Sequence, residues 1–404
     1  MSIRTFLPLL IGLSLCACSS VERQPVPESM SESVTVLGRD DLREWGDEIG
    51  ITPTDILKKY GELETVFPAI MHTEHHYLVL SGGAKDGAYG AGVLAGWSEA
   101  GTRPEFTMVT GISTGALIAP FAFLGSEYDP ALKAIYTTLG SKDLYTQRSW
   151  LSLFTADAIG DTTPFKASIA RFLDDRALDA IAAEYHRGRQ LLIGTTNLDA
   201  GRPVIWNVTR IAASGHPDAY PFIRSLFLAS AALPGLFPPV YVPVEGPQGQ
   251  PMDEMHVDGG VTAQLFFAPS SIDWSEVVRL LDVKGTPTLY LIRNSRVESR
   301  YQTVDPNLKA IAGRTIGTLI RTQGVGDIYR LLYLSERDHI RIKSTWIPVD
   351  AIENVAIDEV FDTDYMQALY QYGRERALSD KLWFISGDAI DNGEDDEPPM
   401  TMSR

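Results

Sequence analysis

An α/β fold, with a mostly parallel central sheet flanked by helices, is what the sequence predicts, and three observations predict it. Short continuous apolar runs, of which Tyr77-Leu78-Val79-Leu80 is the first, have the texture of strands buried on both faces. These runs alternate along the chain with stretches of helical spacing. Two strand-to-helix junctions, at residues 81–87 and 111–115, are rich in glycine.

The elements follow in order. Arg4 and the apolar stretch Phe6–Leu15 have the charged start and short hydrophobic run of an export signal, and the run is too short to span a bilayer. It ends in Leu15-Cys16-Ala17-Cys18, which resembles a bacterial lipoprotein lipobox. That resemblance implies a signal peptide over 1–17, lipidation of Cys18, a membrane anchor and, with Ser19 and Ser20 following, sorting to the outer membrane. The chain has two cysteines, so cleavage before Cys18 leaves no second thiol for an internal disulfide. Residues 18–50 are expected to be a lipidated tether and N-terminal extension, with 19–35 rich in Ser, Pro and Glu and lacking apolar periodicity. A helical segment is expected over 51–76, with Thr52 as N-cap and Pro53 at the first helical position.

The main domain is expected over 77–386. After the first strand, Ala88, Ala91, Gly92 and Ala95 make a small-residue helix face, which predicts close packing on a sheet. Phe106–Thr110 reads as the next strand, followed by Gly111-Ile112-Ser113-Thr114-Gly115 and a second helix. Further strands are expected at Leu191–Thr195, Pro203–Val208 and Thr288–Ile292, and helices at 166–185 and 309–334. From Gly387 acidic residues without basic partners predict a solvated, disordered tail over 387–404.

Composition limits function. The chain of 404 residues is 44% hydrophobic and 22% charged, an ordinary globular balance. Its formal net charge of −17 opposes nucleic-acid binding, because neutralising phosphates takes basic side chains. The histidines show no metal-ligand spacing, so no metal or other cofactor is expected.

Three motifs carry chemistry. Ser113 is the centre of GxSxG on a strand-to-helix turn, where flanking glycines permit a sharp bend and the following helix directs its N-terminal N–H groups at the site. Ser81-Gly82-Gly83-Ala84-Lys85-Asp86-Gly87 also joins a strand to a helix. Taken alone it fits an oxyanion hole, a phosphate cradle or a tight turn, although it lacks both GxGxxG and a Gly-Lys-Ser/Thr ending. His256-Val257-Asp258-Gly259-Gly260 places an acidic residue before two glycines, which alone is an ordinary turn sequence.

In this order the three motifs resemble the patatin-like phospholipase family, in which a glycine-rich loop, a GxSxG serine and an Asp-Gly-Gly aspartate act together. The resemblance extends to Thr196-Asn197-Leu198-Asp199 and to residues 229–239, which run from Ala229-Ser230 to Pro238-Pro239. It implies a three-layer sandwich, Ser113 as nucleophile, Asp258 as its base, the amides of Gly82, Gly83 and Ala84 as oxyanion hole, and a lipid or other ester as substrate. The chain departs from the family at Asp86, where Arg or Lys is usual. A basic residue there could orient an anionic head group or brace the loop, and Asp86 does the first badly.

Two other readings compete. An α/β-hydrolase triad requires a histidine after the acid, and His339 is the one available. A catalytically silent lipoprotein would use the fold to bind acyl chains or a partner. Trp150, Leu151, Leu153 and Phe154, and Leu265, Phe266 and Phe267, are candidates to cover an acyl chain, with core packing as their alternative use.

Overall fold

Alternation within the strands decides which side chains each face buries. In the computed structural model, which describes residues 23–48, 63–147, 158, 160–268, 272–352, 359–379 and 381–385, ten strands form one sheet. They are β1 (Arg43–Trp45), β2 (His76–Leu80), β3 (Met108–Ile112), β4 (Gln190–Asn197), β5 (Arg202–Asn207), β6 (Val240–Glu245), β7 (Pro251–Asp258), β8 (Thr288–Arg293), β9 (Arg341–Trp346) and β10 (Phe384–Ile385). Eight helices frame the site: α1 (Gly87–Glu99), α2 (Thr114–Leu124), α3 (Asp129–Thr138), α4 (Thr163–Phe172), α5 (Asp175–Tyr185), α6 (Ala219–Ser230), α7 (Leu308–Arg337) and α8 (Thr363–Ala377).

Leu78 and Leu80 of β2 and Tyr290 and Ile292 of β8 point into a large core shared with α1, α2, α6 and α8. Their neighbours Tyr77, Val79, Leu289 and Leu291 point to the other face, where they meet Ile328 and Leu331 of α7. The sheet is therefore covered by helices on both sides, the arrangement that all-apolar strands require.

The strand order is β1-β5-β4-β3-β2-β8-β9-β10, with β7 paired to β4 and β6 to β7. β4, β3, β2, β8 and β9 are mutually parallel, and the outer pairings are antiparallel. One register feature creates the site. β3 pairs with the first half of β4 as far as Ile112 opposite Gly194, and β7 pairs antiparallel with the second half of β4, ending with Asp258 opposite Thr195. The ends of β3 and β7 thus meet beside one strand, so the residues that leave them are neighbours.

The N-terminal stretch differs from expectation. Residues 23–35, expected as part of a tether, lie on the domain: Arg23 forms ion pairs with Asp199 and Asp253, each at 2.7 Å. Val34, Val36, Leu42 and Trp45 are buried, and β1 extends the sheet. Scattered apolar anchors and an arginine clamp hold what composition alone marks as loose. The signal peptide, Cys18, the segment from Thr52 to Tyr60 and the acidic tail lie outside the described residues. The small face of α1 meets a helix rather than the sheet, since a Cβ on Gly92 would stand 2.0 Å from the carbonyl oxygen of Tyr370 in α8. Among the described residues no helix is long and apolar enough to cross a membrane.

Candidate active site

Ser113 leaves β3 with φ 56° and ψ −124°, a conformation that non-glycine residues rarely adopt. The surroundings hold it there. Its N–H donates to Ser230 Oγ at 3.0 Å, and the Ser230 hydroxyl donates to the Gly194 carbonyl at 2.7 Å. Gly115 permits the bend, because a Cβ there would lie 2.3 Å from the Leu80 carbonyl oxygen. The result is a hydroxyl projected from a tight elbow at the N-terminus of α2.

Asp258 arrives from 145 positions downstream, and Ser113 Oγ donates to its Oδ2 at 2.6 Å. The other carboxylate oxygen accepts from Gly260 N at 2.7 Å, and the Asp258 N–H donates to the Ala232 carbonyl at 3.0 Å. The carboxyl is buried, at 4% exposure. Burial pushes it up to about 6, against the opposing pull of the hydrogen bonds from Ser113 and Gly260.

The glycine loop faces this pair. Among the described residues no acceptor takes the N–H of Gly82, Gly83 or Ala84, and all three residues line the same cavity as Ser113 and Asp258. Asn294, which follows β8 and is fully buried, fixes the loop. Its amide donates to the Ser81 carbonyl at 2.9 Å, its Oδ1 accepts from Gly90 N at 3.0 Å, and its backbone N–H donates to Ser81 Oγ at 2.8 Å. A Cβ on Gly83 would stand 1.9 Å from the Asn294 carbonyl oxygen, so the approach requires glycine. Gln264 closes the other side: its Nε2 donates to the Gly260 carbonyl at 2.8 Å and to Gln323 of α7 at 3.3 Å.

Asp86 does not line the cavity. Its carboxyl accepts from the Tyr365 hydroxyl at 2.9 Å and ties the loop to α8, and burial raises its pKa. Of the two roles considered for this position, it takes the brace.

The cavity has a volume of about 960 Å³. Apolar side chains from α2, α3, α4, α6, α7 and α8 line it, among them Phe121, Ile135, Ile169, Phe227, Ile320 and Met366. Among its described lining residues Asp258 is the single charged one. Leu265, Phe266 and Phe267 are buried core residues outside the lining, and residues 150–154 lie outside the described residues.

The histidines stand elsewhere. His339 is exposed and lies two residues before β9, at the N-terminal edge of the parallel strands, whereas Ser113 leaves their C-terminal edge. The triad reading is thereby corrected: the sheet separates the two residues. His256 is fully buried and bonds Thr195 and Glu254, not Asp258. Among the described residues no group of three His, Cys, Asp or Glu is placed to hold a metal.

The structure brings together Ser113, Asp258 and the loop that sequence reading singled out, and adds Asn294, Gln264 and the bracing role of Ser230, which that reading missed. Ser230 lies within a stretch already singled out by resemblance, while Asn294 carries no signal beyond following a buried strand.

Comparison with the curated proteins returns no match. Among solved structures the chain is similar to VipD from Legionella pneumophila, at 11% identity over 76% of this chain and 66% of that one, with a TM-score of 0.29. It is also similar to the type III effector protein ExoU, at 15% identity over 78% of this chain and 54% of that one, with a TM-score of 0.27. The chain spans less than two thirds of the length of either. Residues 78–269, the segment holding the glycine loop, Ser113 and Asp258, match the model of the family described as patatin-like phospholipase.

Proposed function

We propose that this chain is a serine acyl hydrolase that cleaves lipid or other carboxylic esters with Ser113 as nucleophile and Asp258 as base. The observation that carries the reading is the 2.6 Å hydrogen bond between the two side chains at the wall of an apolar cavity. An acyl chain suits that lining. An anionic head group would find no cation among its described lining residues, so the head group stays at the mouth.

In this mechanism Ser113 Oγ attacks the ester carbonyl while its proton passes to Asp258. The oxyanion is met by the N–H groups of Gly82, Gly83 and Ala84, where each well-placed donor contributes about 3 kcal/mol of transition-state stabilisation. Collapse of the tetrahedral intermediate breaks the bond to the alcohol oxygen, which takes the proton from Asp258. Water, giving its proton to Asp258, then attacks the acyl-serine, and the second collapse returns a proton to Ser113. A carboxylate with a pKa of about 6 is a better base than an exposed aspartate and is still ionised at pH 7.

Ser113→Ala and Asp258→Asn should each lower ester turnover by about 10³-fold or more. Full activity in purified Ser113→Ala would refute the assignment. Labelling by a fluorophosphonate, blocked in Ser113→Ala, separates the enzyme from a silent acyl-binding protein. We propose further that Cys18 is lipidated and the protein exported; the N-terminal sequence supports this, and labelling with a palmitate analogue that persists in Cys18→Ser would end it.

A further inference from the structure

The mouth of the cavity is apolar on its outside as well as its inside. Five residues that line it are also exposed: Leu198 at 42%, Val261 at 45%, Ile316 at 54%, Leu319 at 64% and Val360 at 44%. Ile316 and Leu319 belong to the first half of α7, whose residues 311–319 are all exposed. On that half Leu308 (85% exposed), Ile311 (51%), Ile316 and Leu319 fall within an arc of about 140° at 100° per residue. Among the described residues this apolar helix face has no partner, and it is continuous with the rim of the cavity.

Charge and chain path indicate what covers it. Residues 300–323 carry Arg300, Lys309, Arg314 and Arg321 against Asp305, a net +3 inside a chain of net −17. A basic, apolar-faced helix suits the surface of an anionic bilayer, which the acidic remainder of the molecule does not. The first of the described residues lies at the same place. Arg23 is clamped to Asp199, the neighbour of rim residue Leu198.

We propose that the first half of α7 and the cavity rim form an interfacial surface that docks on anionic lipid and opens the cavity directly onto it. The inference rests on the acyl-hydrolase reading for its purpose, and its test is separable from that reading. In the full chain with Cys16→Ser and Cys18→Ser, Ile311→Cys is labelled with an environment-sensitive fluorophore. It is mixed with vesicles of phosphatidylcholine, alone or containing phosphatidylglycerol. A blue shift and rise in emission on the mixed vesicles are expected, with little change on phosphatidylcholine or for a label at Ala310→Cys on the opposite side of the helix. The label reads α7 itself, whatever holds the N-terminus.

The paired variant Leu308→Ser with Ile311→Ser should hydrolyse a soluble short-chain ester like the parent and lose about tenfold on a long-chain ester of the same alcohol packed in mixed vesicles. Equal responses on both vesicles or at both label positions would overturn the proposal. So would a response that follows protein concentration without lipid, accompanied by a dimer in sedimentation. Retained turnover of the soluble ester with no response at Ile311→Cys rejects the docking surface alone. Absence of soluble-ester turnover in the parent, with the response intact, rejects the enzymatic reading alone.

Discussion

In the proposed mechanism a base that must take a proton from a hydroxyl gains from being hard to charge, and Asp258, the proposed base, has that property because it is buried. The cost falls on stability. Its carboxyl binds a proton more readily in the folded chain, at about 6, than at its ordinary value of 3.8. Its favourable contribution is therefore complete below the unfolded value and is lost as pH rises through about 6. Above that, holding it charged costs on the order of 1–3 kcal/mol. Asp258→Asn should thus melt higher than the parent at pH 8, by a few degrees, with the gap closing by about pH 4; a lower melting temperature at pH 8 would mean that the bonds from Ser113 and Gly260 outweigh burial. The same value predicts an acid limb near pH 6 in kcat/KM for soluble ester. Asn294 is the second residue whose change is informative. Asn294→Ala strands the buried Gly90 N–H and Ser81 carbonyl, which costs about 1–3 kcal/mol. Through the loop it should lower kcat more than it raises KM for a soluble ester, a split that simple destabilisation would not give.

At the scale of elements, β7 is the strand that matters and the one the sequence hides. Pro251-Met252-Asp253-Glu254-Met255-His256-Val257-Asp258 has neither an apolar run nor clean alternation, because its inward positions are polar: Glu254 and His256 are both buried. They are compensated from far away. Arg43 of β1 makes a two-pronged ion pair with Glu254, His256 Nε2 lies 3.1 Å from the same carboxylate, and Thr195 holds the other ring nitrogen at 2.9 Å. Against burial, which would raise it, His256 and Arg43 hold Glu254 down to about 2, while burial lowers His256. Arg43→Met should cost about 3–5 kcal/mol at pH 8 by leaving a buried carboxylate short of its cation. Protonation of His256 then supplies a substitute charge, so the deficit in melting temperature should shrink as pH falls from 8 to 5; a deficit independent of pH would show that the histidine cannot take the role. The central strands were legible because residues such as Leu78, Val109 and Leu291 are apolar whichever face they occupy. Residues 166–185 read as one helix and form two, α4 and α5, divided at Asp174, which caps the second through Ala177 N at 2.9 Å. Strands β1, β7 and β9 were not legible, since their burial depends on partners tens to hundreds of positions away.

The whole molecule sets two regions against each other, an acidic body and an apolar, locally basic mouth, with the hydrogen-bonded pair Ser113 and Asp258 between them. Motifs located the pair because the elbow, the loop and the Asp-Gly-Gly turn are local backbone solutions that restrict residue type where they occur. The cavity could not be read that way, because its wall is assembled from residues scattered over six helices, from one on α6 to five on α7. What it admits is consequently a property of the assembly and can be tested by filling it. Ile169 of α4 lines the cavity away from the catalytic motifs in sequence and is 6% exposed. Ile169→Trp adds a ring where an acyl chain would lie, at an overpacking cost of about 1–3 kcal/mol to be checked by melting temperature. If the chain of the substrate occupies this space, kcat/KM for a dodecanoyl ester should fall about tenfold relative to a butanoyl ester, while fluorophosphonate labelling of Ser113 proceeds as in the parent. An unchanged ratio in a folded, labelled variant would place the acyl chain outside the cavity and leave the lining as core.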